Sequence, residues 1–127
     1  MSKTYKDLTI VIVTYKTKLK ILEKCLGSIR TGVKVIIVEN SNKFHEKNYL
    51  LKKFKNIKIK IYCSGKNLGY ANGNNLGLIN VKTKFALITN PDVNFSKNFY
   101  ENIRKYLKNK NDFSIIGVQY KDNSIWD

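Results

Sequence analysis

Two of the nine acidic side chains stand where a parallel sheet would bind a ligand. Glu39 directly follows a run of apolar, β-forming residues, and Asp92 comes just after another such run. The others precede a strand, lie on helical patterns or belong to the tail: Asp7, Glu23, Glu46, Glu101, Asp112, Asp122 and Asp127. Open α/β sheets bind ligands outside the carboxyl ends of their strands, so we expect the chemistry of this chain at Glu39 and Asp92.

Asp92 stands in the segment Asn90-Pro91-Asp92, directly after residues 85–89. Pro91 cannot donate to a sheet ladder, so it ends the strand where Asn90 and Asp92 project. A hard divalent cation beside a diphosphate needs one or two carboxylates and takes its other ligands from phosphate and water, which makes Asp92 a candidate metal ligand. Asn90 is a candidate to orient a ribose or a water molecule. A simple Asn/Pro/Asp turn is the structural alternative.

Polar residues also end the first two apolar runs, as Thr14-Tyr15 and as Glu39-Asn40-Ser41. A carboxylate at such a point can accept hydrogen bonds from a base or a ribose, and Tyr15 can lie against a ring. Local turns with side-chain hydrogen bonds are the alternative for both segments. Their coincidence at one edge with the Asn-Pro-Asp segment favours a nucleotide cleft.

Residues 67–77 (NLGYANGNNLG) form an uncharged stretch in a chain with 26% charged residues. The spacing of Gly69, Gly73 and Gly77 places all three on one side of a helix, where each costs up to about 1 kcal/mol relative to alanine. We expect a close approach to this helix, either by a nucleotide diphosphate or by the strand that carries Asp92. The stretch matches neither a phosphate-binding loop ending in Gly-Lys-Ser/Thr nor a G-x-G-x-x-G fingerprint.

The elements that must position these residues alternate between strands and helices. Residues 8–13, 33–38 and 85–88 are almost uninterrupted apolar runs, typical of strands covered on both faces, and residues 115–118 are similar. Residues 57–61 alternate strictly, which indicates an outer strand with one wet face. Apolar residues at helical spacing predict the connecting helices: Leu19, Leu22, Cys25, Leu26 and Ile29; Leu50 and Phe54; the glycine-rich stretch to Ile79; and Phe99, Ile103 and Leu107.

This alternation predicts an α/β fold with a mostly parallel sheet of order 3-2-1-4 and a fifth strand. The carboxyl ends of the first and fourth strands then flank the topological switch point. At 127 residues, we expect a single domain, residues 1–127.

Composition limits the other classes of function. The formal net charge of +15 suggests a polyanionic partner, but all 24 basic residues except Arg30 and Arg104 are lysines, spread from end to end. Readers of bases and phosphates usually favour arginine, so we expect no specific nucleic-acid partner. A weak association with anionic membrane surfaces is a further expectation. Two scattered cysteines and one histidine make no zinc set, and the absence of an apolar signal region predicts a cytoplasmic protein.

Four segments together resemble the family 2 glycosyltransferases of GT-A fold, specifically the rhamnosyltransferase-like branch. They are residues 9–15 (TIVIVTY), 35–41 (VIIVENS), 67–75 (NLGYANGNN) and 89–93 (TNPDV). They occur in the family's order and at similar spacing, so the resemblance covers nearly the whole chain. It implies a Rossmann-like three-layer GT-A sandwich that holds the donor half of the fold, truncated before the acceptor half.

The resemblance also assigns roles to individual residues. The residues that it places around the donor nucleotide are Thr14, Tyr15, Glu39, Asn40, Ser41, Asn67, Gly73, Asn74, Asn75 and Asn90. Asn90-Pro91-Asp92 stands in the place of the Asp-x-Asp motif, so Asp92 would bind Mn²⁺ or Mg²⁺. The donor would be a UDP- or dTDP-sugar, and the acceptor a glycan or a lipid-linked sugar.

The implied reaction is inverting sugar transfer in bacterial cell-surface polysaccharide or glycan synthesis, in the cytoplasm or at the inner face of the membrane. It requires a general base, which in the family comes from a later segment. Asp122 and Asp127 lie outside the family's base motif, so the catalytic residue is unassigned. Two alternatives stay open: a non-catalytic nucleotide-binding module that needs a partner chain, and a basic nucleic-acid-binding protein.

Overall fold

The fold alternates strands and helices along the chain. The computed structural model describes residues 6–109 and 115–117. Within them the elements are β1 (Leu8–Thr14), α1 (Leu19–Gly27), β2 (Lys34–Glu39), α2 (Lys47–Lys53), β3 (Lys58–Cys63), α3 (Gly69–Leu78), β4 (Phe85–Thr89) and α4 (Phe99–Asn109). The helices between the strands predicted from the apolar spacing are confirmed.

The four described strands form one parallel sheet of order β3-β2-β1-β4, as the sequence predicted. All seven residues of β1 are buried, because β1 has a strand on each side and helices over both faces. The chain moves outward from β1 through β2 to β3, and then returns to the other side of β1 as β4. The carboxyl ends of β1 and β4 therefore lie side by side at a switch point.

Alternate residues of the central strands point to opposite faces, and each face has its own core. Ile10, Ile12 and Ile37 belong to the larger core, with side chains from α1, α2 and α4. Val13 and Val38 belong to the smaller core under α3. The connection to β4 thus crosses the face opposite the first two crossovers, which makes the three layers of the fold.

The outer strands differ from the central ones. Lys58 and Lys60 of β3 are exposed while the intervening isoleucines are partly buried, so the predicted wet face is confirmed. The prediction that residues 85–88 are covered on both faces was wrong. Ala86 and Ile88 are exposed, with Ile88 at 44%, because α3 packs over β1 and β2 and, within the described part of the chain, leaves this side of β4 uncovered.

The predicted fifth strand, residues 115–118, is not formed in its described part. Residues 115–117 belong to no helix or strand, and Ile115 is 90% exposed. Val118 lies outside the described residues, as do Asp112, Asp122 and Asp127. Among the residues that the structure describes, no helix combines the length and the apolar character that a membrane crossing requires.

Candidate functional site

Glu39, at the end of β2, is a buried carboxylate that two hydroxyl groups bind. The Thr14 hydroxyl, at the end of the neighbouring β1, donates to Glu39 Oε2, and the Ser41 hydroxyl donates to Glu39 Oε1 at 2.9 Å. The register of the two strands places Thr14 and Glu39 opposite each other. Glu39 as a whole residue is only 6% exposed. The structure therefore brings these three predicted residues together, with Glu39 held in one orientation.

Asn40 joins the end of β2 to the beginning of α3. Its Nδ2 donates to the carbonyl of Gly69 at 2.9 Å, and its Oδ1 accepts from the Leu68 amide at 3.1 Å and from the Ser64 hydroxyl at 2.9 Å. Asn40 is only 2% exposed, so its side-chain amide group is buried and makes its hydrogen bonds to other groups of the protein. We call this region the closed side. It consists of the carboxyl end of β2, with Glu39 and Asn40, and the start of α3 at Leu68 and Gly69.

The glycines of α3 serve the packing of the helix on the sheet. A Cβ at Gly73 would lie 2.9 Å from Val13 Cγ1 and 3.2 Å from Asn40 Nδ2, and one at Gly77 would overlap Val11 Cγ1. The group that approaches α3 is thus β1, with β2 beside it. The prediction of an approach by the strand that carries Asp92 was wrong, because the order of the strands places α3 over β1 and β2.

Gly69 has a different role from the other two glycines. Its φ is +81°, a left-handed conformation that favours glycine, and nothing lies within 4 Å of the position that its Cβ would take. Asn67 supports this turn, since its Oδ1 accepts from the Gly69 amide at 3.0 Å. The stretch therefore combines one backbone turn with two close contacts.

The two predicted site asparagines of α3 differ in exposure. Asn75 is exposed on the helix. Asn74 is 5% exposed, and its Oδ1 has no hydrogen-bond partner within the described residues. Such an atom is unusual, because buried polar atoms are nearly always hydrogen-bonded.

The carboxyl ends of β1 and β4 border an open cleft of about 450 Å³. Its lining residues are Lys16, Thr17, Lys18, Ile21, Asn90, Pro91 and Asp92. Asn90 and Asp92 are exposed, and Tyr15, which precedes Lys16 in the chain, is 45% exposed. We name this the open cleft. It contains two predicted site residues, Asn90 and Asp92, and it is separate from the hydrogen-bonded closed side.

Sequence reasoning missed the lysines of the open cleft. Lys16 and Lys18 directly follow Thr14-Tyr15 at the same sheet edge, and that position was the signal that could have found them. Lys16 is the one non-glycine residue with positive φ, +50°, in the described part of the chain. For a residue with a side chain this conformation costs about 1 kcal/mol. Its Nζ lies 5.3 Å from the centre of the Tyr15 ring.

The charge of Asp92 also acts on the core beneath the cleft. Burial, and to a smaller extent the negative charge of Asp92, raises the pKa of the Cys25 thiol to about 11. Cys25 is therefore a neutral thiol near pH 7, and it is free, as is the exposed Cys63. Cys25 therefore lacks the lowered pKa of a nucleophile.

The open cleft can hold a metal ion only if the ligand supplies most of the coordination. No group of three His, Cys, Asp or Glu side chains in residues 6–109 and 115–117 could hold one. Asp92 is the one carboxylate among the lining residues. Magnesium bound beside phosphates needs no more than one or two carboxylates, so Asp92 fits an ion that enters with a diphosphate.

A model of the glycosyl transferase family 2 matches residues 9–127 of the chain. The chain belongs to glycosyl transferase family 2. A comparison of this family 2 chain with curated proteins gives no match.

Solved structures of TarS from S. aureus resemble this family 2 chain. TarS 1–349 matches with a TM-score of 0.70 and 15% identity, over 91% of this chain and 40% of TarS 1–349. Its complex with UDP-GlcNAc matches with a TM-score of 0.69 and 15% identity, over 91% of this chain and 38% of that one. A longer TarS structure matches with a TM-score of 0.69 and 16% identity, over 81% of this chain and 20% of that one. At these identities the likeness shows the fold, which is GT-A.

Proposed function

We propose that this chain is the donor-binding part of a glycosyltransferase, and that it binds a UDP- or dTDP-sugar in the open cleft. The observation that carries the proposal is the cleft itself, which lies at the switch point between β1 and β4 and has Asp92 on its rim. The complexes of TarS with UDP and with UDP-GlcNAc support the choice of donor. The donor site would extend from the open cleft to Glu39 and to Asn74.

The closed side gives the base or ribose a fixed partner. Glu39 keeps lone pairs free beyond the two that Thr14 and Ser41 use, so it can accept a further hydrogen bond from a nucleoside. Asn40 orients α3 instead, and Asn67 supports the turn at Gly69. We propose direct contact with the donor for Thr14, Tyr15, Glu39, Ser41, Asn74, Asn75 and Asn90, and an indirect role for Asn40, Asn67 and Gly73.

Asp92 would hold Mn²⁺ or Mg²⁺ together with the diphosphate. The ion would supply positive charge that stabilises the departing diphosphate. Asp92 itself would fix the position of that charge at the end of β4. An acceptor hydroxyl would then attack the anomeric carbon with inversion, with a general base that we assign to no described residue.

We also propose a branch of the family, a class of acceptor and a cellular location for this chain. The segment 89–93 (TNPDV) supports the rhamnosyltransferase-like branch, with a glycan or lipid-linked acceptor in bacterial cell-surface polysaccharide synthesis. The net charge of +15 supports a weak association with the inner face of a membrane. We treat residues 1–127 as one domain.

Thermal unfolding with nucleotides tests the proposal. We expect UDP or dTDP with Mg²⁺ or Mn²⁺ to raise the Tm by about 10 °C at 100 times Kd, because a ligand stabilises the state that it binds. Asp92→Asn should remove the metal-dependent part of this shift. Asp7→Asn, the same change at an exposed acid before β1, is the matched control and should keep it. If no combination of nucleotide and metal changes the Tm, the proposal is contradicted.

A second candidate is a donor-binding module that a partner chain completes. The face of β4 that the described residues leave uncovered, with Ala86 and Ile88 exposed, favours it. Sugar transfer by the purified 127-residue chain alone would reject this second candidate.

A further inference from the structure

We infer that Lys16 and Lys18 bind the diphosphate of the donor directly and form the cationic wall of the open cleft. The inference rests on the proposed function and deepens it, because it assigns diphosphate binding to residues of the loop after β1. It also predicts that the divalent ion strengthens binding of the nucleotide without being required for it.

The first argument is the charge of the cleft. Among its lining side chains, two ammonium groups face one carboxylate, that of Asp92. The ion pairs within the described residues involve Arg30, Lys53 and Arg104, so no protein carboxylate neutralises Lys16 or Lys18 there. A concave site with excess positive charge attracts an anion.

The start of α1 adds to this positive charge. Lys18 is the N-cap residue of α1, and neither a side-chain cap nor an acidic residue in the first turn offsets the helix dipole within the described chain. Ile21, in the same turn, lines the cleft. The positive end of the helix dipole therefore lies on the same side as the two ammonium groups.

The second argument is the backbone of Lys16. A left-handed residue is usually glycine or asparagine, and the chain uses glycine at Gly32, Gly65 and Gly69, which also have positive φ. Lys16 therefore holds a strained conformation at the mouth of a cleft, with its ammonium group beside the Tyr15 ring. Strain of this kind persists where it positions a functional group.

Calorimetric titration of the purified full chain tests the inference, with UDP and uridine as ligands in EDTA and in Mg²⁺. The cleft variant is Lys16→Gln/Lys18→Gln. The matched control, Lys20→Gln/Lys24→Gln, removes the same charge from exposed lysines of α1 that do not line the cleft. In EDTA we expect the cleft variant to bind UDP about tenfold more weakly and the control to change by less than about twofold. Binding of uridine should be the same in all three proteins, because uridine has no phosphate.

Lys16→Gly separates a functional role from a structural one. It should raise the Tm, because glycine adopts the left-handed conformation freely, and yet weaken UDP binding in EDTA by about threefold. A purely structural lysine would not give these opposite effects.

The outcomes separate the inference from the proposed function. If UDP binds only with Mg²⁺ and the cleft variant binds it as the unaltered chain does, the inference is wrong and the proposed function stands. Equal losses of UDP and uridine, or equal losses in the control variant, would also overturn it. If the unaltered chain binds neither UDP nor dTDP under either condition, the proposed function fails and the inference fails with it.

Discussion

The closed side and the open cleft lie at the same edge of the sheet, one on each side of the end of β1, and they are built in opposite ways. On the closed side, Glu39 and Asn40 are buried and their polar atoms are bound by neighbouring groups. In the open cleft, Asp92 and Asn90 are exposed, and the surrounding lysines have no carboxylate partner within the described chain. The polar groups of the closed side are mostly bound within the fold, whereas those of the open cleft are exposed to a ligand.

The difference shows that polar residues at a sheet edge do not all serve the ligand in the same way. The side-chain amide of Asn40 is hydrogen-bonded to the backbone of Leu68 and Gly69, and these bonds fix the position where α3 begins. Asp92 makes no such contact among the described residues. Substitutions on the closed side should therefore lower stability, whereas those in the open cleft should change binding with little effect on stability.

The largest effect is expected at Gly77. In Gly77→Ala the new methyl group would overlap Val11 Cγ1 and press on Val38, so the free energy of unfolding should fall by about 3 kcal/mol. Urea unfolding measures this. Gly27→Ala is the matched control, because its Cβ would meet Phe54 at an ordinary 3.9 Å and alanine favours the helix. Equal stability of the two variants would contradict the tight contact between α3 and β1.

The next effect is expected at Asn40. Asn40→Ala leaves the Leu68 amide and the Gly69 carbonyl without their partner, which should lower the free energy of unfolding by about 2 kcal/mol. Asn72→Ala, at an exposed position of α3, should change it by less than about 0.5 kcal/mol. If the Asn40 variant keeps full stability but loses UDP binding, then Asn40 belongs to the ligand site and the comparison is wrong there.

A smaller effect on stability is expected from the ionisation of Cys25 at high pH. The charge of Asp92 in the open cleft contributes to the raised pKa of this buried thiol. The pKa of this thiol rises from an ordinary 9.0 to about 11 in the folded protein, so its contribution to stability is complete below pH 9 and is lost as the pH rises towards 11. The contribution should fall by about 1.4 kcal/mol between pH 8 and pH 10. Urea unfolding of the unaltered chain and of Cys25→Ala measures it, since other titrations are common to both. Parallel pH profiles would show that the thiol does not contribute.

The smallest effect on stability is expected at Asp92. Asp92→Asn without nucleotide should change the free energy of unfolding by less than about 0.5 kcal/mol, because the side chain is exposed. Chemical denaturation of the variant beside Asp7→Asn measures this. A loss comparable with that of Asn40→Ala would show that the end of β4 is structural and would remove the distinction between the two regions.

Much of the fold could be predicted from the local pattern of the chain. The apolar runs at residues 8–13 and 33–38 and the alternation at 57–61 were enough for the order 3-2-1-4, since burial on both faces requires a central position. The same kind of apolar run at residues 85–88 led to a wrong prediction of burial on both faces. An apolar run reports that burial is favourable, but whether a helix covers the second face depends on where α3 packs.

The sequence by itself determined which residues meet at the carboxyl edge of the sheet: Thr14 and Glu39 end parallel strands, Asp92 closely follows the end of another, and the ends of parallel strands share one edge. Only the tertiary structure decided what each of them faces. Residues at least 25 positions apart along the chain make the contacts of Glu39 with Thr14, of Asn40 with Gly69 and of the α3 glycines with β1, and a local pattern carries no information about such partners. The left-handed backbone of Lys16 and the exposure of Ile88 on β4 are likewise visible only in the folded structure.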